Sequence, residues 1–338
     1  MKSQLTKENY FWLGQVPKWV WAVLDGWNIL EEEYTNPSIA KRVVDLRVMT
    51  EKCLRNCFHC FTDKIGKTLS LDDIKNIIDQ LADMNVKAVD FLGEGEPTLD
   101  KDFFEIIEYT ASKGIQPVIF TDVATKMRDV NFVRRVKKIW ATIIPKCDSL
   151  RNEQYQNEIV GDTTWKYFNQ RNEAVQLLIQ EWFNAVREDG TTRLWFDMVV
   201  NKKNIHEVEK TLRYCRENNI RIVFTTYLPS GRSSAKDFDS ENVLSKEDKV
   251  VLWKMVQKID QEYGFDHKLF NNFFTTPCLE FLQVFGNGDV SPCPGNPQVV
   301  GNIKTDSIVL LRKNILEKFP GHDCNLADGN CLYRRFIT

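Results

Sequence analysis

"VVDLRVMTEKCLRNCFHC" (residues 43–60) joins a β-branched run to three cysteines, Cys53, Cys57 and Cys60, within eight positions and with no fourth cysteine beside them. The run reads as a strand and the cysteines as the loop that leaves its C-terminal end. Further strand-like runs follow at residues 86–92 (VKAVDFL), 116–121 (QPVIFT), 138–144 (KIWATII), 193–200 (RLWFDMVV) and 221–228 (RIVFTTYL). Helical patterns separate them. Ser70 with Asp73 forms a capping-box pattern ahead of the stripe Ile74, Ile77, Ile78 and Leu81, and Phe103, Ile106 and Ile107 mark a helix that stops at Gly114. Six such βα units predict a parallel sheet with right-handed crossovers, closing wholly or partly into a barrel.

The residues that break this rhythm stand just past the strand ends. They are the cysteine loop, "GEGEPT" (93–98), Thr121 with Asp122, "PKCDS" (145–149), Asn201 and "PSGR" (229–232). That rim of a βα barrel is where active sites are built.

Composition narrows the chemistry. In 338 residues, 45 Lys and Arg face 47 Asp and Glu, with a pI near 6.2. No basic field is present to hold a phosphate backbone, so nucleic acid is not expected as a partner. The longest apolar run near the N-terminus, "WVWAVL" (19–24), is too short for a membrane span or a signal segment, and the chain reads as cytoplasmic. Nine cysteines in a reducing compartment point to metal or catalysis rather than disulfides, and four histidines (59, 206, 267 and 322) are too few for an imidazole-rich site.

Three thiolates are enough to hold a [4Fe–4S] cluster by three irons and leave the fourth open to a small molecule. A zinc ion wants four ligands, and His59 lies too close to Cys57 to complete a tetrahedron without strain. On Cys53, Cys57 and Cys60 at C-x3-C-x2-C after the first strand, the chain resembles the radical S-adenosylmethionine (SAM) superfamily.

The resemblance implies a partial (β/α)6 TIM-like barrel and a [4Fe–4S] cluster whose open iron chelates SAM. It also implies reductive cleavage of SAM to a 5′-deoxyadenosyl radical, fed by a donor such as flavodoxin or ferredoxin. Gly95, Glu96 and Pro97 match the family's Gly-Gly-Glu-type turn, which receives the methionine ammonium. Thr121 and Asp122 match the ribose-reading position, although the commoner residue beside the Thr is Asn. Asn201 and Arg232 fall where ribose and carboxylate contacts lie. His59 stands where an aromatic residue near adenine is usual. Lys146, Cys147 and Asp148 on the fourth rim segment are candidate catalytic residues, Cys147 as a hydrogen donor. Cys215, on the stripe Val208, Thr211 and Leu212, reads as a small core residue.

The C-terminal region carries Cys278, Cys293, Cys324 and Cys331. "VFGNGDV" (284–290) reads as a hairpin between Cys278 and Cys293, and "VVGNI" (299–303) as another short strand and turn. This pattern resembles the shortened SPASM, or Twitch, extension of the same superfamily and implies one auxiliary [4Fe–4S] cluster on the four cysteines. The expected organisation is an N-terminal extension (1–40), a core barrel (41–235), a linker with one helix (236–270) and an auxiliary cluster domain (271–338).

The primary expectation is therefore an oxidoreductase that abstracts hydrogen from a small polar molecule of the sugar, aminoglycoside or nucleoside type, giving oxidation, dehydration or epimerisation. A peptide-modifying enzyme is the alternative. The roughly 40 residues ahead of the first strand are too few for the winged-helix module such enzymes often carry, so a separate subunit would supply one. The molybdenum-cofactor cyclase, a Twitch-bearing relative, ends on a glycine, whereas this chain closes on "RRFIT". A non-catalytic, zinc-stabilised interaction protein is the third reading.

Overall fold

The structure is a computed structural model that describes residues 43–62, 64–86, 88–187, 192–226, 231, 242, 244–264, 282–292 and 298–318. Strands β1 (Val43–Arg47), β2 (Ala88–Phe91), β3 (Gln116–Thr121) and β4 (Thr142–Pro145) pair in parallel in the order β4-β3-β2-β1. Strands β5 (Trp195–Val200) and β6 (Arg221–Thr226) pair with each other, and parallel bridges from Ile143 to Leu194 and from Lys146 to Asp197 join β5 to β4. The six strands thus follow one another in sequence order around a partial (β/α)6 barrel. The sequence places five of these strands well and starts the fourth too early. Residue 138 still belongs to a helix, and Trp140 turns the chain with a φ of 64° before β4 begins.

The helices cover the outer face. Those between β1 and β6 are α1 (Leu71–Asp83), α2 (Phe103–Ser112), α3 (Val130–Lys138), α4 (Glu153–Ile159), α5 (Tyr167–Gln180) and α6 (Val208–Glu217). Ser70 and Asp73 form the expected capping box on α1, with the Asp73 N–H donating to Ser70 Oγ at 3.1 Å, and Ile74, Ile77, Ile78 and Leu81 are buried. Ser70→Ala should cost about 1 kcal/mol of stability. Urea denaturation checks this, and an unchanged midpoint would show the cap to be idle. Helix α2 ends in the Schellman pattern that Gly114 suggests: Gly114 donates to Ala111 and Ile115 to Thr110. Cys215 is buried on α6, as its stripe predicts.

Alternation sorts the strand residues between two environments. Val44, Leu46, Val89 and Phe91 join the hydrophobic core shared with the helices. Asp45, Arg47 and Asp90 stand at the alternate positions, facing the barrel interior. Burial and the neighbouring Asp45 push the Asp90 carboxyl well above the usual range, which favours one shared proton over two adjacent charges.

The expected hairpin forms between β7 (Gln283–Phe285) and β8 (Asp289–Ser291), and β9 (Gly301–Asn302) pairs antiparallel to β8. Strand β7 pairs in parallel with the free edge of β1, with Gln283 opposite Asp45. The hairpin therefore extends the barrel's own sheet. Helix α7 (Lys246–Glu262), capped by Ser245 and Asp248, packs on α6, and α8 (Ile308–Lys318) packs on α1. Residues 1–42 and both ends of the expected linker (236–241 and 265–270) lie outside the described residues, as do Arg232, Cys278, Cys293, Cys324 and Cys331.

Candidate active site

The cysteine loop leaves β1 and is pinned by its backbone. Asn56 N–H donates to Val160 O at 3.0 Å and Phe58 N–H to Ile159 O at 2.9 Å, while Cys60 N–H reaches Cys57 O at 3.2 Å. Cys53, Cys57 and Cys60 are free, half-buried thiols. Burial pushes Cys53 up to about 11, against a lowering contribution from the Arg55 N–H. Burial, followed by proximity to Cys53 and Cys60, pushes Cys57 above the usual thiol range. The three sulfurs thus act on one another. Among the described residues no set of three His, Cys, Asp or Glu side chains converges on a single metal ion. Three free thiols on one loop suit a multi-iron cluster, in which each thiolate binds its own iron.

The turn after β2 lies against this loop. Glu96 N–H donates to Lys52 O at 2.8 Å, and a side chain at Gly95 would collide with the Lys52 carbonyl. Only glycine permits that approach. The Glu96 carboxylate caps the 3₁₀ turn Pro97–Leu99 and gathers the rim. Oε1 accepts from Thr98 Oγ1 at 2.5 Å and Thr121 Oγ1 at 2.6 Å, and Oε2 accepts from the Asp122 N–H at 2.7 Å. Burial, then the charge of Asp122, pushes Glu96 up to about 7, even though these hydrogen bonds pull the other way. Asp122 Oδ2 accepts from Arg55 Nε at 3.0 Å and so returns to the cysteine loop. At the sixth strand end, Gly231 packs on the Phe61–Thr62 backbone with a φ of 60°, again with no room for a side chain.

Beside this network, with the Lys146 N–H donating to Thr121 O at 3.1 Å, stands a largely buried ion cluster. Lys146 Nζ lies 2.9 Å from Asp197 Oδ2 and 3.1 Å from Asp148 Oδ1. Burial opposes the ammonium charge, but the two carboxylates outweigh it and hold Lys146 above the usual lysine range. Asp148 Oδ1 also accepts from the Val199 N–H at 3.0 Å, and Oδ2 lies 3.7 Å from His59 Nε2. Burial lowers His59 to about 4, so the imidazole beside the cysteines is neutral near pH 7. Asn201 Nδ2 donates to Tyr155 OH at 3.0 Å.

The rim residues Gly95, Glu96, Pro97, Thr121, Asp122 and the cysteine loop therefore meet as one network, and His59, Lys146 and Asp148 form a second group beside it. Cys147 joins neither. It is fully buried with its Sγ 2.8 Å from Arg171 Nη1 on α5. This placement speaks for packing and against the expected hydrogen donor. Asp197 and Arg55 were missed by the sequence reading, although a lone aspartate in the apolar run "RLWFDMVV" (193–200) is a readable signal of an interior contact.

Known proteins bear on this geometry. The model described as "Radical SAM superfamily" matches residues 48–234. Fe-coproporphyrin III synthase of Methanosarcina barkeri is 26% identical over 200 residues, covering 57% of this chain and 46% of that protein. PqqA peptide cyclase of Bradyrhizobium diazoefficiens is 31% identical over 85 residues, covering 24% of this chain and 22% of its own length. The chain spans about half or less of these curated relatives. The crystal structure of Streptococcus suis SuiB bound to precursor peptide SuiA superposes with a TM-score of 0.64 at 17% identity, over 83% of this chain and 66% of that one. At that identity the likeness shows the fold alone.

Proposed function

Because the chain belongs to the radical SAM superfamily, a family of enzymes that use a [4Fe–4S] cluster and SAM, we propose that it abstracts hydrogen from a peptide substrate. The observation that carries the reading is the meeting of three free thiols with the Glu96 network on one rim. Cys53, Cys57 and Cys60 would hold the cluster, which when bound supplies the electron that cleaves SAM to a 5′-deoxyadenosyl radical. Gly95, with no side chain in the way, would let the turn approach the methionine end of SAM. Glu96 fixes that turn against Thr121 and Asp122, which would read the ribose, and Asn201 and Arg232 complete the assignment. The neutral ring of His59 would stand near adenine. Lys146 and Asp148, beside that network, would orient the substrate.

A peptide is favoured over a sugar, aminoglycoside or nucleoside because one relative is a peptide cyclase and one neighbour of the same fold binds a precursor peptide. The reading includes an auxiliary [4Fe–4S] cluster on Cys278, Cys293, Cys324 and Cys331 and a flavodoxin or ferredoxin as electron donor. Among the described residues no helix is long and apolar enough to cross a membrane.

The test is anaerobic incubation with SAM, a strong reductant and candidate peptides. Wild type should form 5′-deoxyadenosine, and a deuterated peptide substrate should pass its label to it. Glu96→Ala removes the acceptor for Thr98, Thr121 and Asp122 and should weaken SAM binding about tenfold, the equivalent of one charge-assisted hydrogen bond. An unaltered dissociation constant would remove Glu96 from the site. Label transfer from a sugar or nucleoside and not from any peptide would restore the small-molecule reading.

A further inference from the structure

Outside the barrel, on the far side of β4 and β5 from the rim network, lies a cavity of about 270 Å³ between α5, α6 and β5. Arg171 lines it with a side chain that is 1% exposed. Its Nη1 donates to Cys147 Sγ at 2.8 Å and Gln156 Oε1 at 3.4 Å, and its Nη2 to Ser149 O at 3.1 Å. The third donor position, Nε, is buried with no partner.

Among the described residues, no carboxylate lies within ion-pair distance of Arg171. A guanidinium cannot shed its proton, so a buried one needs a counter-charge. Cys147 is poorly suited to supply it. Burial pushes the thiol up, and the lowering influence of Arg171 does not overcome this.

The rest of the lining points to what the counter-charge is attached to. Arg151, exposed, shares the cavity, and Asn172 and Gln176 bring amides from the same face of α5. The opposite wall is aromatic, with Phe196 and Tyr214 stacked at 6.4 Å. We propose that this cavity binds a small molecule carrying one carboxylate or phosphate group on a compact apolar body. The anion pairs with Arg171 and Arg151, and the body lies against Phe196 and Tyr214. A few convergent polar groups over an apolar wall are the ordinary makeup of a small-molecule site. The same guanidinium fixes Cys147 and Ser149, the residues that flank Asp148, so an occupant would stiffen the segment that carries Lys146 and Asp148.

Calorimetric titration of the full-length, cluster-loaded protein with benzoate, phenyl phosphate and neutral benzamide tests the proposal. One of the two anions should bind at a single site at least tenfold more tightly than benzamide, and whichever is tighter assigns carboxylate or phosphate. Arg151→Met, at an exposed position, should weaken that anion about tenfold without lowering the melting temperature of the free protein. Arg171→Lys, which keeps the charge but loses the fork, should weaken it as well. The Cys53→Ala, Cys57→Ala, Cys60→Ala variant should bind it unchanged, which separates the cavity from the SAM site and from the proposed function. Binding of benzamide as tight as that of the anions, unchanged affinity in both arginine variants, or no binding of any probe would overturn the proposal.

Discussion

Replacing Cys53, Cys57 and Cys60 together by alanine is expected to leave a folded protein that forms no 5′-deoxyadenosine above background. The expectation of a folded product rests on what holds the loop. Its main anchors are backbone bonds from Asn56, Phe58 and Cys60, together with the Arg55 side chain on Asp122 and Asp162, and the thiols add only the contacts of Cys53 Sγ with the Arg55 N–H and of Cys60 Sγ with Thr62 Oγ1. The expectation of lost chemistry rests on electrostatics. Burial disfavours the thiolates of Cys53 and Cys57 without a cation, and a metal cluster is what makes that charge tenable. With an auxiliary cluster on the four C-terminal cysteines, wild type should hold about eight iron atoms and the variant about four. Iron analysis, circular dichroism and product chromatography are read together. Stoichiometric zinc in place of iron, or product formation by the folded variant, would refute the assignment of these thiols.

How far the sequence foretold this site depends on the range of each interaction. The loop, the strand-end residues and the α1 cap were legible because their signals are local: three cysteines at fixed spacing, a glycine-rich turn after a strand, a serine three residues ahead of an aspartate. Strand β7 was legible as half of a hairpin but not as the neighbour of β1. More than 200 positions separate Asp45 from Gln283, and nothing near either residue announces the pairing. The burial of Cys147 is of another kind. Neighbouring residues of an extended segment point to opposite faces, so placing Lys146 and Asp148 on the interior already turns Cys147 toward the helices, where Arg171 meets it. The Asp197 partner of Lys146 was obscured by its apolar neighbours, which dominate any measure of that run as a strand.

Lys146→Met is the second substitution with a large expected effect, here on stability. It leaves Asp148, which is fully buried, and Asp197, whose side chain is 14% exposed, facing each other without the ammonium between them. Removing one partner of a buried charged group costs about 3–5 kcal/mol, because the remaining charges stay desolvated. The partial exposure of Asp197 and Lys146 puts the expected loss at the low end, about 3 kcal/mol. Asp148 keeps the Val199 N–H and Asp197 keeps the Thr225 hydroxyl, so the carboxylates do not lose all support. The pH dependence follows from the direction of the Lys146 shift. A cation held above its unfolded value contributes stability that is fully present below the ordinary lysine range and is lost only as pH climbs through the higher folded value. The difference between wild type and Lys146→Met should therefore be flat from neutral pH to about pH 9 and shrink only in strong alkali. Adding Asp197→Asn to Lys146→Met should recover part of the loss by removing the charge that the substitution strands, a non-additivity expected of residues in contact. Urea denaturation of the single and double variants measures both quantities. A single variant within about 0.5 kcal/mol of wild type, the range of ordinary surface substitutions, would mean that solvent already screens the cluster and that Lys146 does not organise this wall of the site.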